Sequence, residues 1–404
     1  MEFNSIFFHF YFNFAIMITR FAAKKIIGLA KVFKAVAVTG PRQSGKTTLV
    51  KELFKHKPYV SLENPDSRRY AIEDPRGFLG QYKDGVILDE VQRTPEIFSY
   101  LQEILDNNNA TGQFILTGSN NFLLQQNIAQ SLAGRVAFMN LLPFSISELY
   151  PADITKPSEN SILLSGLYPP VYDRNIPPQD WYPNYIRTYV DGDVRQIKNI
   201  TDLIVFERFM RLLAGRTGQE LNLTALATET GVDTKTIQAW IGVLESSFII
   251  FLLKPHHRNF NKTITKRPKL YFYDTGIVCS LLGITTEAQL MHHPLRGSLF
   301  ECLIVTELVK QRTNAGAPVN LYYWRDKTGH EVDVIIDKGD SLIPIEIKSG
   351  HTINTEFFKN LLYWNKLSGM KKGYLIYGGD EEQKRSNGIE VMGWRDIAGV
   401  QPIV

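Results

Sequence analysis

The amino-acid sequence predicts an α/β chain in three parts, and three observations predict it. Over residues 20–154 short apolar strands alternate with helical stretches, the rhythm of an α/β sheet. Over residues 155–290 the apolar spacing is mainly helical, and the Pro-containing stretch YPADITKPSEN marks the first boundary. Over residues 291–404 the order reads helix, strand, strand, strand, helix, strand.

The bounds agree with an ordinary globular protein. The 404 residues are 44% apolar and 21% charged, enough chain for two or three real cores. A net charge of +4 is too mild to indicate nucleic acid by itself, so any basic footprint must be local. Two cysteines, Cys279 and Cys302, exclude a disulfide framework and fit a reducing compartment; the cytoplasm is the expected place. The start, MEFNSIFFHFYFNFAIMITR, carries six Phe and one Tyr within its first sixteen positions. His9 and Asn13 interrupt it, so it is too short to span a bilayer, and it lacks the early basic residue of a signal peptide. Residues 1–19 are read as an extension, with Met17 as the natural start; a membrane-surface anchor is the alternative, and no membrane partner is expected.

The strongest chemical signal is AVAVTGPRQSGKTTLVKELF. An apolar strand from Ala35 to Val38 runs into Gly40-x4-Gly45-Lys46-Thr47, and a helix follows. That is the context a P-loop requires. Gly40, Pro41, Arg42, Gln43, Ser44, Gly45, Lys46, Thr47 and Thr48 are the expected nucleotide-binding residues. Backbone N–H groups of such a loop turn inward around phosphate oxygens, and the helix N-terminus adds its positive dipole end. Lys46 reaches the β- and γ-phosphates, and Thr47 ligates Mg²⁺. About forty residues later, DGVILDEVQR ends a buried strand in Asp89-Glu90. Asp89 completes the Mg²⁺ shell, and Glu90 orients or deprotonates the attacking water. A third strand, GQFILTGSN, ends in Thr117, Gly118, Ser119 and Asn120, small polar groups suited to sensing the γ-phosphate. In SLAGRVAFMNLLPFS, Arg135 stands alone among apolar residues. It meets a phosphate in cis or in trans, or it is a surface Arg closing a helix; both readings stand.

TGPRQSGKTTL, VILDEVQR, ILTGS and SLAGR stand in the order seen in a large group of prokaryotic AAA-type ATPases that carry a C-terminal domain of unknown function. The chain resembles that family over nearly its whole length from Met17 onward. The resemblance implies a P-loop AAA-type ATPase domain and ATP as the nucleotide.

In the middle part, LTALATETGVDTKTIQAWIGVLESSFII reads as two short helices with a turn at Gly231. Thr224 and Asp233 are the expected N-caps. Ile237, Ile241 and Leu244 give the second helix its apolar face, with Thr234, Lys235, Thr236 and Gln238 outside, as in a helix-turn-helix. From Lys254 to Lys269 there are six Lys or Arg and no acid. Two flanking strands make this stretch look like the wing of a winged helix, with Lys262, Lys266 and Arg267 set for DNA phosphates. Charge runs are also common in solvated loops, and such modules also serve as lids or protein contacts.

In the C-terminal part, LIPIEIKS places Ile343, Ile345 and Ile347 on one face and Glu346 and Lys348 on the other. In EVDVII, Val332, Val334 and Ile336 take one face and Asp333 the other. Glu301 on the preceding helix lies beside a buried stripe of Ile304, Val305 and Leu308. Asp333 and Glu346 are the expected ligands of a second Mg²⁺ or Mn²⁺. Lys348 would stabilise the developing charge. This Asp…Glu-x-Lys set on such an element order resembles the PD-(D/E)xK, restriction-endonuclease-like fold, and the resemblance implies Glu301 as a further metal carboxylate on the first helix. Three readings stay open: a plain ion pair, a nuclease-like fold without activity, and metal-dependent cleavage.

Two functions are therefore in view. One is an ATP-hydrolysing, DNA-binding enzyme with a nuclease-like effector. The other is a nucleotide-dependent switch that binds protein partners. A homo-oligomer is expected if Arg135 works in trans.

Overall fold

The computed structural model describes residues 18–119, 128, 131–150, 157–190, 192, 202–257 and 266–400. The Phe-rich start, Asn120 and Lys262 lie outside the described residues. Among the described residues no helix is long and apolar enough to cross a membrane.

Helix α1 (Ala22–Ala30) leads into β1 (Ala35–Thr39) and, after a glycine-rich loop, α2 (Lys46–Leu53). Then come β2 (Tyr59–Ser61), β3 (Val86–Asp89), α3 (Ile97–Asn107), β4 (Phe114–Gly118) and β5 (Val136–Asn140). These strands form one sheet in the order β2-β3-β4-β1-β5, with every neighbouring pair parallel. The strands β1, β3 and β4 are buried along their whole length, which is why they read as unbroken apolar runs. Phe98, Leu101, Leu88 and Leu116 fill one face of the sheet; Ile26, Val36, Val38 and Leu49 fill the other. Because every strand runs the same way, Thr39, Asp89 and Gly118 all reach the same edge.

The middle part contains α4 (Pro178–Tyr189), α5 (Leu203–Ala214), α6 (Leu223–Thr230), α7 (Thr234–Ser246), the antiparallel pair β6 (Ile250–Leu253) and β7 (Lys269–Phe272), and α8 (Thr275–Leu282). Gly231 turns the chain between α6 and α7 at φ +80°. Asp233 caps α7 by accepting from the Lys235 and Thr236 N–H groups. The cap of α6 is Asn222 rather than Thr224: the Asn222 carboxamide oxygen accepts the Ala225 N–H at 3.2 Å, which starts the helix early and leaves Thr224 inside its first turn. Ile237, Trp240, Ile241 and Leu244 bury one face of α7 and leave Thr234, Lys235 and Gln238 exposed.

The C-terminal part runs α9 (Arg296–Asn314), β8 (Leu321–Arg325), β9 (Glu331–Asp337), β10 (Leu342–Lys348), α10 (Lys359–Ser368), β11 (Gly373–Tyr377), β12 (Gln383–Lys384) and β13 (Ile389–Gly393). Its mixed sheet has the order β12-β13-β11-β10-β9-β8, and the last two strands extend the expected element order. Ile343, Ile345 and Ile347 pack with the apolar side chains of α9, while Leu342 packs with Trp364 of α10. The expected alternation therefore holds on β10. It fails at the start of β9. There the pairing passes from Tyr322 with Ile335 to Trp324 with Val332, so β9 carries one extra residue. This bulge turns Val332 toward Trp324 and Trp364, away from the side that Val334 and Ile336 share. The apolar core is continuous from Leu142 through the middle helices to α9 and β10, and both cysteines are free and buried within it.

A buried arginine joins the first part to the rest. Arg20 stands just before α1 and is 7% exposed. Its guanidinium donates to the Ser44 carbonyl at 2.8 Å, the Leu142 carbonyl at 2.6 Å and the Glu148 carboxylate at 3.2 Å. Glu148 also accepts the Phe21 N–H at 2.7 Å and the Ser145 N–H at 2.8 Å. Burial pushes the Arg20 pKa down, and the Glu148 charge opposes that. On the other side of this segment, Lys310 of α9 donates to the Phe144 carbonyl at 2.8 Å, and Glu307 accepts the Ile146 N–H at 2.8 Å. Replacing Arg20 leaves Glu148 charged in a dry setting. Arg20→Met is expected to cost about 3 kcal/mol or more of stability in urea unfolding, and adding Glu148→Gln is expected to recover part of that loss. A double variant no better than the single one would contradict the pairing.

Candidate active site

At the shared edge of the parallel sheet the glycine-rich loop closes tightly. Gly40 has φ +148°, and a Cβ there would stand 2.1 Å from the Leu141 carbonyl oxygen. Gly45 has φ +88° and hands the chain to α2, whose first N–H groups have no partner within the helix. Gln43 also takes a positive φ, +63°. Lys46 is buried and its ammonium group folds back onto the Gly40 and Pro41 carbonyls at 3.0 and 2.7 Å. Among the described residues the buried Ser44 hydroxyl oxygen has no hydrogen-bond partner. Arg42, Gln43, Gly45, Lys46, Thr47 and Thr48 line a cleft with about 790 Å³ of empty space.

Facing them is Asp89. Its carboxylate accepts from the Thr47 hydroxyl at 3.1 Å, the Tyr59 phenol at 2.6 Å and the Thr117 hydroxyl. Burial, and then the Asp89 carboxylate, push the Tyr59 phenol up, so it stays protonated as a donor. The structure thus brings Thr47 and Asp89 together and adds Tyr59 and Thr117. Glu90 follows at φ +54°, a left-handed conformation that costs a non-Gly residue on the order of 1 kcal/mol. Its carboxylate accepts from the Ser119 hydroxyl at 3.1 Å and from Gln92. Ser119 is therefore a partner of Glu90 here.

Arg135 lies elsewhere. It precedes β5, and its carbonyl accepts the Ala35 N–H at the start of β1. The loop lies at the other end of β1, roughly 16 Å away at about 3.3 Å per residue. Arg135 makes a two-pronged pair with Asp106 at the end of α3. The cis reading of Arg135 is overturned by this parallel strand order: within one chain it sits at the opposite edge of the sheet.

Beside the phosphate cleft lies a mostly apolar pocket with about 1150 Å³ of empty space. Gly45 and Thr48 line both. Ile18, Leu49, Leu53, Phe144 and Pro169 form its walls, with Glu52 and Asp173 as polar groups. No local motif announces this pocket, because its walls come from the chain start, α2 and the middle part.

The C-terminal carboxylates meet as well. Beyond the Ile345–Val334 pair the β9–β10 ladder ends, and Asp333 accepts the Ile347 N–H at 2.8 Å. Lys348 donates to Glu346 at 2.7 Å and stands 3.9 Å from Asp333. Asn360 of α10 donates to the same Glu346 oxygen at 3.2 Å, and the other oxygen has no hydrogen-bond partner among the described residues. Burial first, and then the Asp333 charge, push the Glu346 carboxyl up. Glu301 is engaged differently. Lys269 of β7 donates to it at 3.0 Å and also pairs with Glu331, while the Tyr271 phenol donates to Glu301 at 2.6 Å. Lys269 is 2% exposed. Burial disfavours its charge, but Tyr271, Glu301, Glu331 and Asp333 outweigh burial and hold it well above the ordinary lysine range. Among the described residues no three His, Cys, Asp or Glu side chains converge as metal ligands. The expected trio of Asp333, Glu346 and Glu301 does not fit a metal centre, because the ammonium group of Lys269 stands beside Glu301.

Residues 32–150 match the AAA domain family, and residues 158–288 and 296–397 match two domains of unknown function (DUF8612 and DUF4143). An uncharacterized protein of Mycobacterium tuberculosis is 30% identical over 322 residues, covering 78% of this chain and 70% of that protein. The chain belongs to the same protein family. An uncharacterized protein of Haemophilus influenzae is 23% identical over 390 residues, covering 88% of this chain and 92% of that protein. Among solved structures, the Walker-type ATPase of Pyrococcus abyssi aligns at 12% identity and a TM-score of 0.42, covering 64% of this chain and 94% of that chain.

The first part is thus a nucleotide-binding ATPase domain of the AAA type. The donor set fits ATP with Mg²⁺: a buried Ser44 hydroxyl with no partner among the described residues, a lysine folded back onto carbonyls of its own loop, and a hydroxyl facing a carboxylate. Thr47 and Asp89 would hold Mg²⁺, which when bound would supply positive charge against the phosphates. Lys46 would exchange its carbonyl contacts for phosphate oxygens. Glu90, held by Ser119, would be the group to take a proton from the attacking water. Glu90→Gln is expected to keep ATP affinity while phosphate release falls about 100-fold or more. Lys46→Ala is expected to lose ATP binding itself, read by equilibrium binding. Full turnover in Glu90→Gln would remove Glu90 from its role.

Proposed function

We propose that this protein is a Mg²⁺-dependent ATP hydrolase that acts as a nucleotide-driven switch on DNA, with a C-terminal domain that binds rather than cuts. The observation that carries the reading is the buried polar path from the phosphate loop to α9. Ser44 is held by Arg20, Arg20 by Glu148 and Leu142, and Phe144 and Ile146 by Lys310 and Glu307. A shift of the loop on nucleotide binding displaces a fixed charge pair, which resists deformation more than an apolar contact does. The proposed units are 20–154, 155–290 and 291–404. In this reading Arg135, half-buried beside Asp106, serves a neighbouring copy of the chain in trans.

The DNA reading rests on α6, α7 and the β6–β7 pair as a winged helix. The outer side of α7 presents Thr234, Lys235 and Gln238, and Lys266 and Arg267 stand exposed ahead of β7. Such a surface would hold phosphates through its basic residues and read little sequence. Duplex affinity is expected to fall by about tenfold or more in the Lys235→Ala, Lys266→Ala, Arg267→Ala variant, with a shallower salt dependence. Unchanged affinity and slope, read by fluorescence anisotropy across a salt series, would favour the alternative of a switch for protein partners.

Lys269 supports the binding-module reading of the C-terminal domain against the nuclease reading. Its ammonium group supplies internally the positive charge that a metal ion would bring to Glu301 and Glu331. Mg²⁺ or Mn²⁺ is therefore expected to leave the melting temperature of the wild-type protein unchanged once the ATP site is saturated or disabled. Lys269→Met is expected to destabilise by about 3 kcal/mol or more, because two partly buried carboxylates lose their counter-charge. A clear metal-induced rise in wild-type melting temperature, or metal-dependent cleavage of plasmid DNA, would restore the nuclease reading.

A further inference from the structure

We infer that Arg174 is a further catalytic residue, an arginine this chain supplies to its own γ-phosphate from the wall of the cleft opposite the loop; the inference rests on the ATPase reading above. Arg174 lines the phosphate cleft together with Lys46, Thr47, Asp89 and Glu90. It follows the short helix Pro169–Asp173. Among the described residues no hydrogen bond or salt bridge holds its guanidinium. Lys46, by contrast, is already satisfied by two carbonyls of its own loop. Arg135 cannot serve the same cleft, because it is tied to Asp106 at the other edge of the sheet.

The segment that carries Arg174 is braced. Gly166 has φ +57°, and a Cβ there would stand 1.9 Å from the Tyr182 phenol oxygen and 2.2 Å from the Asp274 carboxylate. The Leu167 N–H donates to Asp274 at 2.6 Å, and the Leu167 carbonyl accepts the Phe144 N–H at 2.9 Å. Pro169 then passes 4.0 Å from where a Cβ on Gly45 would lie. The helix therefore crosses over the loop at a fixed height. Its end divides two side chains: Asp173 lines the apolar pocket and Arg174 the phosphate cleft.

The chemistry asks for such a group. Three carboxylates, Glu63, Asp89 and Glu90, line the cleft, and a triphosphate brings further negative charge to it. In hydrolysis the water oxygen bonds to the γ-phosphorus, its proton passes to Glu90, and the bond to the β–γ bridging oxygen breaks to release ADP. Charge builds on the γ-oxygens as that bond lengthens, and a guanidinium can donate two N–H groups to them. ADP has no γ-phosphate, so this contact discriminates between substrate and product.

The test uses full-length wild type, Arg174→Ala and Arg174→Lys. Dissociation constants for Mg·ATP and Mg·ADP, kcat and melting temperature are measured for each. Arg174→Ala is expected to weaken ATP about 10- to 100-fold and to change ADP less than about twofold. Its kcat is expected to fall about 100-fold or more at an unchanged melting temperature, with partial recovery in Arg174→Lys. Equal losses for ATP and ADP, or an unchanged kcat, would overturn the inference. A wild-type protein that binds ATP without turning it over would remove the hydrolase reading instead, and the ATP-to-ADP ratio would still decide Arg174.

Discussion

Much of this molecule hangs on one buried guanidinium. A fully buried arginine keeps its charge only if its donors are met and its charge is balanced. Arg20 achieves this with two carbonyls and one carboxylate that lie far apart in the chain, at Ser44, Leu142 and Glu148. Each of those groups belongs to a different working element: the phosphate loop, the exit from β5, and the short helix that follows. The fan of donors in a guanidinium can hold three directions at once, which an ammonium on a flexible stem cannot do with the same rigidity. The contact also fixes where the chain start passes, and so builds one wall of the apolar pocket beside the loop.

The nucleotide site then follows from strand direction. Parallel strands deliver their ends to one edge, and the side chains delivered there are hydroxyls and carboxylates rather than hydrocarbons. Asp89 collects three hydroxyl donors, so its ionised form is oriented before any cation arrives. Glu90, one residue on, turns into a left-handed conformation that sends its side chain to Ser119. Two adjacent acids thus serve two separate directions.

The C-terminal sheet shows the opposite solution to clustered acids. Where β9 and β10 diverge, an N–H of β10 is taken by a side chain, Asp333, rather than by the strand. Glu301, Glu331, Asp333 and Glu346 would repel one another if left alone. Lys348 comes from within the sheet and Lys269 from the hairpin of the middle part. The second lysine makes the acid cluster depend on a strand outside its own sheet, and this locks the middle and C-terminal parts together electrostatically as well as through their shared apolar core.

Local pattern by itself determined a good deal. The strand into Gly40-x4-Gly45-Lys46-Thr47, the Asp89-Glu90 strand end, the paired helices around Gly231 and the alternation of β10 are all properties of short stretches, governed by backbone conformation and side-chain period. The shared face of Glu346 and Lys348 belongs here too, since a period of two requires it. What tertiary structure decided is everything that depends on long-range placement. The bulge that turns Val332, the distance between Arg135 and the loop, the lysine beside Glu301, and the approach of Pro169 and Arg174 over Gly45 leave no mark in local spacing. The physical reason is that a side chain's period says which way it points along its own element, whereas its partners are chosen by how elements pack. Charge neutralisation in a buried cluster is settled only once those elements have met.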